Sequence, residues 1–315
     1  MQDTDPLPRF LSEQGVLILD GGLATELEAK GCDLTDELWS ARLLIDRPDL
    51  IRRVHREYLE AGADCVISAS YQATFEGLMG RGLSPSESAG LLLRAVDLAR
   101  QARDEFWAIP AQRDGRIRPL VAASVGPFGA YLADGSEFSG AYGLTELELY
   151  RFHRRRFRIL ADSKADLLAC ETIPSWTEAR ALRRLVEEAG RIRAWFSFSC
   201  RSGRELCDGT PIETAIAGLE AADAIVAVGF NCTAPAFMAE LIERARSVTA
   251  KPIVVYPNSG EVWDARARRW RPGDPVSPSL TRSAQAWFTA GARLIGGCCR
   301  TTPADIRQVR SRLLA

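Results

Sequence analysis

Eight short apolar runs, rich in β-branched residues, recur along this chain: VLILD (16–20), CVISAS (65–70), PLVAAS (119–124), DLLACE (166–171), AWFSFS (194–199), AIVAVGF (224–230), PIVVYP (252–257) and ARLIGG (292–297). They lack a regular polar alternation, so each reads as a strand buried on both faces, the habit of parallel strands covered by helices. Amphipathic helical stretches lie between them, among them 48–62, 84–106, 145–162 and 177–190. Several end in Gly, which a helix uses to stop. Eight strand–helix units in 315 residues, with no Ser/Gly/Pro-rich linker and no low-complexity segment, predict an α/β fold of the (β/α)8 TIM-barrel type, one domain over residues 1–315.

A closed barrel gives meaning to the polar residues at its strand ends, because they share one mouth. Read at or just past each run, they are Asp20, Ser70, Ser124, Glu171, Cys200, Asn231 with Cys232, Asn258, and Cys298 with Cys299. Cys232 follows the sixth run and the Cys298–Cys299 pair the eighth, so residues far apart in sequence are expected together in space. Three thiolates there form a trigonal base for a tetrahedral zinc ion with one position open. Adjacent cysteines alone also fit a strained disulfide, a redox pair or two small buried hydrophobes.

Cys200 and Cys207, around the fifth run, are a rival source of thiolates. Cys32, Cys65 and Cys170 read as packing, and His55 and His153, within helical stretches, do not read as ligands. Carboxylates at a barrel mouth, Asp20 and Glu171, suit a cationic partner, against a helix cap for Asp20 or an Arg ion pair for Glu171. The aromatics Tyr71, Phe128, Tyr131 and Trp263 could surround a cation or be ordinary loop packing.

A net charge of −1 and a pI near 6.2 give no electrostatic case for nucleic acid or an anionic membrane. The opening MQDTDPLPRFLSEQG has no basic segment followed by an apolar one, and no apolar stretch reaches the roughly 18 residues of a membrane span. The expectation is a cytoplasmic protein whose eight cysteines stay reduced and free for metal. The expected assembly is a monomer or small homo-oligomer.

The segments DGGLATELEAKG (20–31), ADCVISASYQATFEG, ASVGPFGAYLADGSEFSGAY, ACETIPSWTEA, GFNCTAP, YPNSGEVWDARARRW and IGGCCRTTP (295–303) follow one another over nearly the whole chain. In that order they resemble the homocysteine S-methyltransferases, in particular the branch that uses S-methylmethionine. The resemblance implies one Zn2+ per chain on Cys232, Cys298 and Cys299, and places Asp20 and Glu171 at the substrate amine. It also puts the Gly21–Gly22 turn, with exposed N–H groups, near the substrate carboxylate. Ser70 and Asn231 are candidates for orienting contacts. The stretch SCRSGRELCDGTP, with Cys200 and Cys207, departs from the family pattern.

The implied reaction is methyl transfer from a sulfonium donor, S-methylmethionine or S-adenosylmethionine, to the thiol of homocysteine, giving methionine. A thiol with a pKa of about 8.5 is mostly protonated at neutral pH, and zinc removes that proton. No GxGxxG fingerprint follows a strand, which favours the smaller donor. Other readings are a betaine-type, selenocysteine or other thiol methyltransferase, a phosphate-handling barrel enzyme, and a non-catalytic zinc- or thiol-binding barrel. Glycines after the eighth run suit phosphate, but the paired cysteines fit it poorly. A non-catalytic barrel would need the cysteines and not the convergent acids.

Overall fold

The structure is a computed structural model describing residues 5–32, 39–264, 269–271 and 279–314. Its strands are β1 (Leu17–Ile18), β2 (Cys65–Ile67), β3 (Leu120–Val125), β4 (Leu167–Ile173), β5 (Ala194–Phe198), β6 (Ile225–Asn231), β7 (Ile253–Tyr256), β8 (Val262–Asp264), β9 (Arg269–Arg271) and β10 (Ala292–Ile295). Eight of them form one parallel sheet in the order β1-β10-β7-β6-β5-β4-β3-β2. The ring meets between β1 and β2 through a parallel bridge from Leu19 to Cys65, with Asp64 N–H on the Ile18 carbonyl at 2.7 Å. With helices on the outside, this is the TIM barrel expected from the eight runs.

The continuous apolar character of those runs has a simple cause: successive side chains enter two different cores. Leu17, Leu19, Leu120, Ala122, Leu167, Ala169, Trp195, Val254, Tyr256 and Leu294 fill the barrel interior. Ile18, Val121, Ala123, Leu168, Cys170, Phe196, Val255 and Ile295 pack outward beneath the helices. Both sets are buried, so period-2 alternation of side-chain direction leaves no polar signature. Cys65 and Cys170 fall one in each core, as their packing assignment expects, and Cys32 is half-buried against the outer one.

Helix ends follow local chemistry. Ser84 with Glu87, and Thr145 with Glu148, close capping boxes at the starts of Pro85–Ala108 and Glu146–Ala161. Gly62 and Gly190, at φ of +113° and +64°, stop Pro48–Ala61 and Trp176–Ala189 in the left-handed region where a side chain is unfavourable.

The antiparallel pair β8–β9 lies in the connection between β7 and β10 and has no counterpart among the eight runs. Strands of three residues are too short to show a period. The side chain of Trp263, one of the aromatic candidates, lies outside the described residues.

Candidate metal centre and substrate mouth

The first and last strand-end loops are knit together on glycine. A Cβ on Gly22 would stand 2.7 Å from the Cys298 carbonyl oxygen, and one on Gly296 the same distance from that of Asp20. Only glycine permits so close an approach. Gly297 N–H donates to the Asp20 carbonyl at 3.0 Å, and the Tyr58 hydroxyl reaches the Thr301 carbonyl at 2.9 Å. The connection after β7 holds the cysteine pair from the other side: Cys298 N–H donates to the Pro257 carbonyl at 2.8 Å, and Ser259 N–H to that of Cys299 at 3.0 Å.

Cys232 leaves β6 at φ +48°, while Thr172 at the end of β4 has φ +58° and Arg300 has φ +65°. These are three of the four non-glycine residues with positive φ among the described residues. Such backbone costs on the order of 1–3 kcal/mol each and gathers at functional sites. Asn231 is buried against one of these points: its Oδ1 accepts from Thr172 N–H and its Nδ2 donates to Thr172 Oγ1, both at 2.7 Å. The same Nδ2 faces Cys298 Sγ at 4.0 Å. Asn231 therefore holds the end of β4 against the cysteines.

Cys232 Sγ and Cys299 Sγ are 3.5 Å apart, and the three sulfurs of Cys232, Cys298 and Cys299 lie within 4.8 Å of one another. Thiolates bound at about 2.3 Å to a tetrahedral zinc lie about 3.8 Å from each other, so the trio has the right span. Its electrostatics also call for a cation. Hydrogen bonds from Cys232 and Cys298 hold the Cys299 thiol well below its ordinary value, while sharing with Cys298 and Cys299, burial and mutual repulsion push Cys232 up. Cys298 is raised as well. One thiolate is favoured and the others resisted, and the charged groups acting on the three are thiols and carboxylates. These three residues could hold a divalent ion, which would supply the missing positive charge.

The rival pair does not assemble such a site. Cys207 Sγ faces Ser199 Oγ at 3.4 Å, Cys200 Sγ faces the Phe198 carbonyl at 4.0 Å, and burial raises both thiols, Cys207 to about 11. His153 is buried between Glu178 Oε1 at 2.7 Å and Arg156 Nη2 at 2.8 Å, and His55 is fully buried on Pro48–Ala61; neither joins the metal group.

Glu171 lies at the inward-facing end of β4, 7% exposed. Its Oε1 accepts from the Ser124 hydroxyl and its Oε2 from the Tyr256 hydroxyl at 3.1 Å. Among the described residues no Arg or Lys pairs with it, and burial lifts it to about 8 despite those two donors. Asp20, 3% exposed, accepts the Ile67 N–H at 2.9 Å and is raised well above its ordinary value, again by burial first. It is not a helix cap, since Gly22 occupies that position before Leu23–Ala29. Two buried carboxylates thus share the mouth without a cation from the described residues.

Some expected contacts fall elsewhere. Ser70 is fully buried, donating to the Ser124 carbonyl at 2.8 Å and sharing a bond with Ser68 at 2.8 Å, so it supports Ser124 from behind. Gly22 N–H is not exposed as expected, because Thr301 takes it through both its carbonyl and Oγ1 at 3.2 Å. Gly21 N–H makes no hydrogen bond among the described residues. Phe128 and Tyr131 pack on Phe152 at centroid distances of 4.8 and 5.6 Å, filling the loop after β3. Tyr71 does stand at the mouth: burial, and then the charges of Glu137, Cys232 and Glu171, raise its phenol.

Two further residues shape the mouth. Ser124 is a strand-end residue to which the sequence assigns no role, and Tyr256 sits one place inside its run. Both continue the inward phase of their strands, after Ala122 and Val254. That phase was the available signal.

The model of the family described as homocysteine S-methyltransferase matches residues 17–313. This chain belongs to the homocysteine S-methyltransferase family. It is 48% identical over 305 residues to homocysteine S-methyltransferase YbgG of Bacillus subtilis, covering 97% of this chain and 96% of that protein. It is 47% identical to the selenocysteine Se-methyltransferase of Brassica oleracea, with 96% and 90% covered. The crystal structure of the homocysteine methyltransferase MmuM from Escherichia coli in its metallated form superposes with a TM-score of 0.88 at 46% identity, covering 98% of this chain and all of that one. Homocysteine S-methyltransferases are enzymes, and the trio and the two acids are this member's own groups in the barrel mouth.

Proposed function

We propose that this enzyme transfers a methyl group from S-methylmethionine to the thiol of homocysteine, yielding methionine, with zinc held by Cys232, Cys298 and Cys299. The observation that carries the reading is the meeting of that sulfur trio with two buried carboxylates that no cation of the described residues neutralises. An amino-acid thiol would bring what each lacks: a further sulfur beside the trio and an ammonium for the acids. Zinc bound at the trio keeps the substrate thiol deprotonated, and so nucleophilic, at neutral pH.

The remaining work is positioning. Glu171 and Asp20 receive the ammonium of homocysteine, which supplies the charge that lets them ionise in a buried site. Ser124 and Tyr256 fix both oxygens of Glu171, and Ser70 fixes Ser124. The Gly21 N–H is free for the substrate carboxylate. Asn231 holds Thr172 and faces Cys298, keeping the acid-bearing strand in register with the sulfurs. A sulfonium donor departs as a neutral thioether, so the chain needs no general acid, only alignment.

A second acceptor, selenocysteine, is favoured by the Brassica relative, since selenolate is as soft a ligand as thiolate. We assign the enzyme to the cytoplasm, where thiols stay reduced. Among the described residues no helix is long and apolar enough to cross a membrane.

The test is an assay of the purified, zinc-loaded enzyme with homocysteine and a panel of S-methylmethionine, S-adenosylmethionine, betaine and a methylated folate, following methionine. S-Methylmethionine should be the best donor. Equal or faster turnover with betaine or folate overturns the donor, and binding of homocysteine without turnover of any donor returns the barrel to a binding role.

A further inference from the structure

Glu137 is a carboxylate that the mechanism above does not use. It sits on the short turn Ser136–Phe138 in the connection between β3 and β4. Its backbone is clamped on two sides. A Cβ on Gly129 would stand 2.8 Å from Glu137 Cα, and Ser199, just past β5, donates its hydroxyl to the Glu137 carbonyl at 3.0 Å. The side chain points into protein: Oε2 is buried and has no hydrogen-bond partner. No Arg, Lys or His pairs with the carboxylate among the described residues. A buried carboxylate oxygen left bare is strongly unfavourable unless something meets it.

Its surroundings narrow what that something is. Two carboxylates bear on Cys299, and they are Glu137 and Glu171. Glu137 also bears on Tyr71 and Tyr142. Glu171 projects from a barrel strand, bonded to Ser124 and Tyr256, whereas Glu137 comes from a loop that covers the strand ends. In the reaction proposed above, S-methylmethionine and homocysteine bring two amino acids into one mouth, each with its own ammonium. Asp20 and Glu171 account for one.

We propose that Glu137 binds the α-ammonium of the methyl donor, which fixes the donor's class as a sulfonium amino acid. This rests on the proposed function. The ammonium is the better partner than the sulfonium for a physical reason. A sulfonium loses its charge as the methyl leaves, so a carboxylate beside it would stabilise the ground state more than the transition state and slow the reaction. An ammonium keeps its charge throughout, and a carboxylate on it adds binding without opposing the chemistry. Burial lifts Glu137 to about 7 in the absence of such a partner, in keeping with an acid that awaits a cation.

The test uses Glu137→Gln, which keeps shape and removes charge, in the zinc-loaded enzyme. The KM for S-methylmethionine should rise about 10- to 100-fold with kcat, homocysteine KM and zinc content little changed, the signature of lost uniform binding. Calorimetric titration with S-methylmethionine should show the same loss of affinity without turnover. With dimethylsulfonioacetate, a sulfonium acid without the amino group, wild type and variant should be alike, and Glu137→Asp should recover part of the S-methylmethionine affinity.

An unchanged donor KM, a rise in homocysteine KM instead, or an equal penalty with dimethylsulfonioacetate overturns the assignment. Wild type that binds S-methylmethionine but makes no methionine fails the proposed function alone, and the calorimetric comparison still decides Glu137. Wild type that does not bind S-methylmethionine overturns both.

Discussion

Two buried acids at opposite ends of the same barrel behave as opposites. Asp64, just before β2, is fully buried and fully served: it accepts from Ile18 N–H at 3.2 Å and Gln14 Nε2 at 3.0 Å, and pairs with Arg310 at 2.9 Å and Arg116 at 3.4 Å. Glu171, at the far end of β4, has two hydroxyl donors and no cation among the described residues. At the closed end the protein neutralises its own charge, and Arg310 in doing so ties the helix Pro303–Leu313 to the barrel. At the mouth Glu171 and Asp20 have no cation among the described residues, and burial raises both. The difference follows the division of labour in such barrels, where one face stabilises and the other reacts.

The largest expected effect breaks the mouth altogether. Replacing Cys232, Cys298 or Cys299 singly by Ala should drop zinc well below one per chain, read by atomic absorption, and abolish turnover. Circular dichroism should still show a folded barrel. A variant that keeps both its zinc and its activity removes that cysteine from the ligand set.

Next, the two acids should fail in different ways. Glu171→Gln should lower kcat/KM for homocysteine by roughly 30- to several-thousand-fold, as expected when one partner of a buried charge pair is lost, while zinc stays bound. A simple thiol without an amino group should then lose its disadvantage against homocysteine. Asp64→Asn should instead cost stability, about 3 kcal/mol by denaturant titration, because two arginines lose their buried partner, and leave the kinetics of the folded enzyme intact. Loss of kcat/KM without loss of stability in Asp64→Asn would erase the contrast.

A smaller effect is one of pH. In the metal-free protein Glu171 stands near 8 against an ordinary 4.5, so the native state holds a proton that the unfolded chain releases. Its contribution is present below pH 4.5 and is lost as pH rises through 8, on the order of a few kcal/mol. His55 and His153, lowered from 6.5 to about 4 by burial, act with the opposite sign, costing stability as pH falls through that window. They are common to wild type and Glu171→Gln, so the difference between the two melting curves isolates Glu171. A difference that does not change between about pH 5 and 8 would refute the shift.

The smallest effect is the control. Cys200→Ala and Cys207→Ala should leave zinc content and turnover near wild type, with stability losses of about 1 kcal/mol. Zinc stripped by Cys207→Ala would move the metal site to the connection after β5.

A good part of this molecule is legible in its residues taken in order. Eight buried runs separated by helices dictate a closed barrel, and closure brings every strand end to one mouth. The neighbourhood of Cys232 with Cys298 and Cys299 therefore needs no knowledge of side-chain direction. Asp20 and Glu171 are legible in the same way, as acids at strand ends. Which polar side chain turns into the mouth and which turns behind it is a matter of the assembled barrel. Ser70 lies behind Ser124, Tyr256 reaches Glu171, and Gly22 spends its N–H on Thr301. Glu137, in a loop, has no strand-end signal, and its buried oxygen without a partner is a feature of the folded chain alone. The reason is that a strand's side chains change face at every residue, so one step of register reverses them all. That register is set by the neighbouring strands, as in the pairing of Asn231 with Tyr256, and is a property of the closed sheet that no single run of sequence carries.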